Sequence, residues 1–278
     1  MFLRTDLATE ATLTTDLSAK DVAVHTHKNG AVTLTYTNIR TNAGAAAVGK
    51  PCGQYVTMDL PPLSDSDEEL REHATLLGEE LKRLLPPTGC VLVVGLGNES
   101  ITPDAVGPAT AKLVLATRHI EGEFARSSGL SDLRPTAVVH PGVVGETGVE
   151  TAELIRGVCR TVKPAAVIAV DALAAASPER LGTTVQMSDG GIAPGAGVGN
   201  RRQALDCHTL GVPVIAIGVP TVVDAAGLFC GDTEALRYMM VTPREIDLIV
   251  HRCARLIAMS IHKALHPAYD PLELVALA

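Results

Sequence analysis

Val91-Leu92-Val93-Val94-Gly95-Leu96-Gly97-Asn98 settles the class of this chain. Four aliphatic residues in a row, entered through Cys90, read as a strand buried on both faces. Strands take that form when helices cover a sheet on each side. The glycines make a turn, and Thr102-Pro103-Asp104 beyond them opens a helix. Thr102 fits the N-cap, Pro103 the first helical position and Asp104 the second. The spacing predicts a helix over 103–119.

Downstream the same alternation repeats. Strands are expected over 136–140, 165–170, 183–187 and 213–219, with a helix over 148–162. Thr242-Pro243-Arg244-Glu245 reads as a capping box before a last helix whose Ile246, Ile249, Cys253, Leu256 and Ile257 share one face. Upstream the pattern is β. Val22 to Thr37 alternates around Asn29-Gly30, a hairpin signal, and Tyr55 to Leu60 alternates again. Pro61-Pro62 ends that strand, and Ser64-Asp65-Ser66-Asp67 opens a helix striped by Leu70, Ala74, Leu77, Leu81 and Leu84. The fold class is therefore α/β: a mixed sheet with a parallel core, flanked by helices, carrying an N-terminal β-hairpin.

Composition narrows the function. The chain has 278 residues, 46% of them apolar but only 3% aromatic, with no Trp. Its formal net charge of -8 speaks against direct nucleic-acid binding, which calls for a basic stripe. The six cysteines, at 52, 90, 159, 207, 230 and 253, form no CxxC pair, which favours free thiols of a cytoplasmic protein over a zinc or redox motif. The start lacks a signal-peptide core, and no apolar run reaches the roughly 18 residues of a membrane span.

Two carboxylates stand out. Asp171 ends the run Val167-Ile168-Ala169-Val170, where a lone charge is costly and desolvation raises its pKa. Asp104, at a helix start, is expected to keep a low pKa, although an acidic residue there can simply complement the helix dipole. One raised and one depressed carboxylate make an acid/base pair, and both fall at the carboxyl edge of the sheet, where α/β folds bind ligands. Gly95, Gly97 and Asn98, and Gly142 and Gly145 of Pro141-Gly142-Val143-Val144-Gly145, present main-chain N–H groups at that edge and are candidates for holding substrate or an oxyanion.

The first turn also invites a dinucleotide reading, but Ser100 stands where the third glycine of GxGxxG belongs. Gly195-Ala196-Gly197-Val198-Gly199-Asn200-Arg201-Arg202 suits phosphate or substrate backbone equally. His25 and His27 alternate on a strand without a third ligand, so a solvated face is the simpler reading and no metal is assigned. A nucleotide-binding α/β protein and a metal-linked maturation protease remain the alternatives.

Further blocks carry a resemblance. They are Arg4-Thr5-Asp6-Leu7-Ala8-Thr9-Glu10-Ala11, Gly49-Lys50-Pro51, Gly95-Leu96-Gly97-Asn98 with Thr102-Pro103-Asp104, Thr117-Arg118-His119, Pro141-Gly142-Val143, Val170-Asp171-Ala172-Leu173-Ala174-Ala175 and Gly218-Val219-Pro220-Thr221-Val222-Val223-Asp224-Ala225. In order over most of the chain, they resemble the spore germination protease of endospore-forming bacteria. The resemblance implies a phosphorylase/hydrolase-like α/β fold similar to hydrogenase-maturation proteases. It implies an atypical aspartic endopeptidase that starts the degradation of small acid-soluble spore proteins in the spore core. Asp104 and Asp171 fall on the family's two proposed catalytic aspartates, and no cofactor is implied. Family members are homotetramers made as zymogens, so residues 1–6 are expected to be a propeptide cleaved at Asp6-Leu7. Residues 7–278 are expected to form a single protease domain. Where the family leads one to expect an arginine, this chain has Ala174-Ala175-Ala176-Ser177.

Overall fold

The computed structural model describes residues 5–13, 18–63, 65, 68–120, 127, 130, 132–195, 202–228, 236 and 239–278. Expectations placed on residues 1–4, 64, 66, 67, 196–201 and Cys230 lie outside them. Among the described residues one sheet runs in the order β1-β2-β3-β7-β8-β6-β4-β5, with β9 added to β8. The strands are β1 Val22–Asn29, β2 Val32–Ile39, β3 Gly53–Asp59, β4 Val91–Gly95, β5 Thr136–Val139, β6 Ala166–Ala175, β7 Thr184–Ser188, β8 Val214–Asp224 and β9 Met240–Val241. The pairs β4–β5, β4–β6 and β6–β8 are parallel, whereas β8–β7, β7–β3, β3–β2 and β2–β1 are antiparallel. The expected mixed sheet with a parallel core and an N-terminal hairpin is what forms.

The apolar runs explain the layers. Side chains alternate across a strand, so Val91 and Val93 pack one face while Leu92 and Val94 pack the other. On the first face lie α3 (Leu70–Leu84), α4 (Val106–Ala111) and α6 (Ile246–Leu265), after α1 (Ala8–Leu13) and α2 (Asn42–Val48) in chain order. On the second lies α5 (Thr151–Val162), through Ala152, Ile155 and Cys159. A short α7 (Pro271–Leu277) follows α6 and buries Leu274. No described helix is long and apolar enough to cross a membrane. The five described cysteines are free.

Several boundaries differ from expectation, each for a local reason. The helix expected over 103–119 is a 3-10 turn, Thr102–Asp104, followed by six-residue α4. Pro108 lies inside α4 and has no N–H to offer the turn before it, so the two do not fuse. Ile101, rather than Thr102, takes the cap position. The helix expected from 148 starts at Thr151, because Gly148 (φ 70°) ends a single turn, Val144–Thr147, in the left-handed region. The expected capping box does not form: Glu245 precedes α6, and Thr242 Oγ1 donates to the Thr221 carbonyl at 2.8 Å. The hairpin loop is Gly30-Ala31, flanked by paired Asn29 and Val32.

Strand β4 connects forward to β5 on one side, and β5 then connects back to β6 on the other. Successive connections thus diverge between the carboxyl ends of β4 and β6. A topological switch of this kind opens a crevice in the sheet edge.

Candidate active site

A cavity of about 390 Å³ opens at that crevice and is lined by Asp104, Asp171, Gly97, Gly142 and Asp6. The two aspartates reach it differently. Asp171 does not end its strand: β6 runs on through it to Ala175, beside β8, which continues to Asp224. Its carboxyl is therefore held inside the sheet, and the side chain is buried. Oδ1 accepts from the N–H of neighbouring Ala172 at 3.0 Å. Burial pushes its pKa well above the usual carboxylate value, and the nearby charges of Asp104 and Asp6 push the same way.

Asp104 is carried by the 3-10 turn. Its Oδ2 accepts from Asn98 N–H at 2.7 Å. Thr221 Oγ1, from β8, donates to the adjacent Pro103 carbonyl at 2.7 Å and ties the turn to the sheet. Gly107 lets α4 approach the end of β4 closely: a methyl group there would overlap the Leu96 main chain. The low pKa expected from a helix start is overturned. Burial raises the Asp104 pKa, the Asn98 hydrogen bond only partly opposes it, and Glu146 raises it further. A single 3-10 turn supplies little dipole, and a half-buried carboxyl loses hydration.

The glycine candidates separate. Gly97 and Gly142 line the cavity. Gly95 is buried, with the Gly107 main chain filling the place of its side chain. Gly145 is exposed, with nothing within 4 Å of where a side chain would be. The Asn98 N–H is already committed to Asp104, so the main chain at Asn98 has no free donor for a phosphate or an oxyanion. His25 and His27 lie on the exposed part of β1, and among the described residues no group of three or more His, Cys, Asp or Glu could hold a metal ion. Arg202 pairs with Glu150 at 3.7 Å, and both line the cavity.

Asp6 lines the same cavity, and Leu7 is buried behind it. Asp6 N–H donates to the Ala174 carbonyl at 2.8 Å, and Asp6 Oδ2 accepts from Ala174 N–H at 2.9 Å. Lys50 Nζ stands 3.8 Å from Asp6 Oδ1 and donates to the Thr5 carbonyl at 2.9 Å. Burial raises the Asp6 pKa, against the pull of Lys50 and the Ala174 hydrogen bond. Leu7 is fully buried among Leu173, Ala175 and Val223. The residues that sequence reasoning gave no role are Lys50, Glu146, Glu10 and Gln186. Lys50 and Gln186 line an adjoining cavity with Asp6, and Glu10 reaches Ala176 at the end of β6, all by long-range packing that no local spacing marks. Glu146 sits in the short turn Val144–Thr147, right after Gly145.

Residues 4–238 match a family model described as Germination protease. The chain is 38% identical to the germination protease of Caldanaerobacter subterraneus subsp. tengcongensis, covering 98% of this chain and 97% of that one. It is 36% identical to that of Clostridium tetani, covering 97% of each. Among solved structures, the [NiFe] hydrogenase maturation protease HycI from Thermococcus kodakarensis KOD1 is similar at a TM-score of 0.40 and 18% identity, over 66% of this chain and 98% of that one. A model covering most of the chain and relatives matched nearly end to end place it: the chain belongs to the germination protease family.

Proposed function

We propose that this chain is an atypical aspartic endopeptidase in which Asp104 and Asp171 share one proton. The observation that carries the reading is that two carboxylates, Asp171 on β6 and Asp104 on the 3-10 turn that follows the neighbouring parallel strand β4, line one cavity with raised pKa values. Asp171 is fully desolvated and holds the proton. Asp104, stabilised by the Asn98 N–H, is the ionised member. Asp104 takes a proton from water as the water oxygen bonds to the scissile carbonyl carbon. Asp171 hydrogen-bonds the carbonyl oxygen, then gives its proton to the leaving nitrogen as the C–N bond breaks. The pair is left sharing one proton again.

The substrates are small acid-soluble spore proteins, degraded in the spore core at germination, and the enzyme works as a homotetramer without cofactor, membrane or nucleic acid. It is made as a zymogen. Residues 1–6 are removed by cleavage at Asp6-Leu7, leaving the single domain 7–278. The docking of Asp6 in the cavity beside Asp171 supports self-processing.

The test incubates purified chain with a small acid-soluble spore protein, with and without EDTA, beside Asp104→Asn and Asp171→Asn, and reads fragments by mass spectrometry. Cleavage by the wild type alone, indifferent to EDTA, is expected. Full cleavage by either variant would remove the dyad.

A further inference from the structure

The primary amide of Gln186 brackets the peptide bond that the processing reading makes scissile. Its Nε2 donates to the Asp6 carbonyl oxygen at 3.0 Å, and its Oε1 accepts from Ala8 N–H at 2.7 Å. These two main-chain groups straddle Leu7, so the side chain meets the segment as the edge of a neighbouring strand would. Gln186 is buried in the middle of β7, between β3 and β8, and its position is fixed by the ladder on both sides. The other main-chain contact, Asp6 N–H to the Ala174 carbonyl, comes from the strand that carries Asp171. The segment is thus held between β6 and a side chain from β7, with Asp6 lining the cavity of the two aspartates.

We propose that Gln186 is a substrate-positioning residue, which fixes the Asp6-Leu7 bond by its main chain and stabilises negative charge on the Asp6 carbonyl oxygen when water adds there. The proposal rests on the self-processing reading above. It also assigns the carbonyl contact to a side chain of the antiparallel half of the sheet, where the sequence pointed to glycine N–H groups. A donor already at hydrogen-bond distance from the carbonyl in the resting chain needs little reorganisation as charge develops. The Ala8 contact fixes the register of the segment against β7, and Asp6 is the residue of it that lines the cavity.

The two contacts can be separated in the full chain. Gln186→Glu keeps the shape and the acceptor for Ala8 N–H but removes the donor to the carbonyl. Gln186→Leu removes both. The rate of conversion to a chain beginning at Leu7 is followed by intact mass, with melting temperature measured on each protein. We expect both variants to process roughly a hundredfold more slowly than wild type, including any variant that melts at the wild-type temperature. Wild-type processing by Gln186→Glu, or faster processing by Gln186→Leu, makes the residue a tether and overturns the proposal while leaving the protease reading intact. A wild-type chain that never loses residues 1–6 overturns self-processing and this proposal together, and cleavage of a spore protein in the same tube still reports separately on the protease reading.

Discussion

Gly97 lies against the main chain of Asp104. A methyl group on Gly97 would overlap the Asp104 carbonyl oxygen and stand 3.2 Å from its Oδ1. Gly97 also adopts φ 113°, in the region that disfavours side chains. The turn can therefore fold back far enough for Asn98 N–H to reach Asp104 Oδ2. Gly97→Ala is expected to destabilise the fold by about 1–3 kcal/mol and to abolish most proteolysis even where the protein remains folded. Urea unfolding and spore-protein cleavage measure the two effects. Wild-type turnover in Gly97→Ala would show that the placement of Asp104 does not matter.

Asp171→Asn should stabilise the protein while inactivating it. A free Asp carboxyl titrates near 3.8, and burial raises the folded value well above that. Below 3.8 both folded and unfolded chains hold the proton. As pH rises, the unfolded chain releases it first, so the native state loses relative stability until its own carboxyl ionises. Asn removes that penalty. The stability advantage of Asp171→Asn over wild type should be small near pH 4 and grow steadily toward pH 7. Urea midpoints across this range read it, and a difference that does not grow with pH contradicts the assignment.

A second pH effect comes from the opposite side of the molecule. His262 and His266 are both buried on or next to α6, with ring centroids 6.0 Å apart. Nδ1 of His262 and Nε2 of His266 have no hydrogen-bond partner among the described residues. Burial pushes both down to about 4 from 6.5, and for His266 the neighbouring His262 and Arg134 add to it. Above 6.5 both states are neutral and the stability is full. As pH falls toward 4 the unfolded chain takes up protons that the folded chain refuses, so stability drops. His266→Gln, which keeps an acceptor for the Arg134 N–H now bonded to Nδ1, should flatten that drop. Thermal melts between pH 4 and 7 test it, and an unchanged slope would refute it.

Glu10 anchors the N-terminal segment. Its carboxylate accepts from Ala176 N–H at 2.8 Å, from Ser177 N–H at 3.0 Å and from Thr5 Oγ1. Glu10→Gln turns an NH₂ group toward donors, at a cost of about 1–3 kcal/mol. Hydrogen exchange should accelerate in residues 5–13 ahead of the rest of the chain. Equal protection in variant and wild type would mean that Leu7 burial alone holds the segment.

Residue patterns located most strands well because each is either a short apolar run or an alternating stretch whose period is fixed by the backbone. They misplaced the helices around Asp104 and before α5, where Pro108 and Gly148 cut short turns that local propensity would extend. They ended β6 too early as well. Asp171 looks like a stop signal after Val167 to Val170, yet pairing with β8 carries the strand past it.

The α/β class, the parallel core and the hairpin follow from the sequence by itself, since side-chain periodicity is a local property, and the apolar run before Asp171 and the turn that carries Asp104 mark those two residues as candidates. The tertiary structure alone decided that β4 and β6 are neighbours, that Asp171 is buried within a strand yet lines the cavity, that the Asp104 pKa is raised rather than lowered, and that Asp6, Lys50 and Gln186 meet at an adjoining cavity. Those outcomes depend on strand order and desolvation. Both are set by contacts between segments far apart in the chain, and no local spacing of residues encodes them.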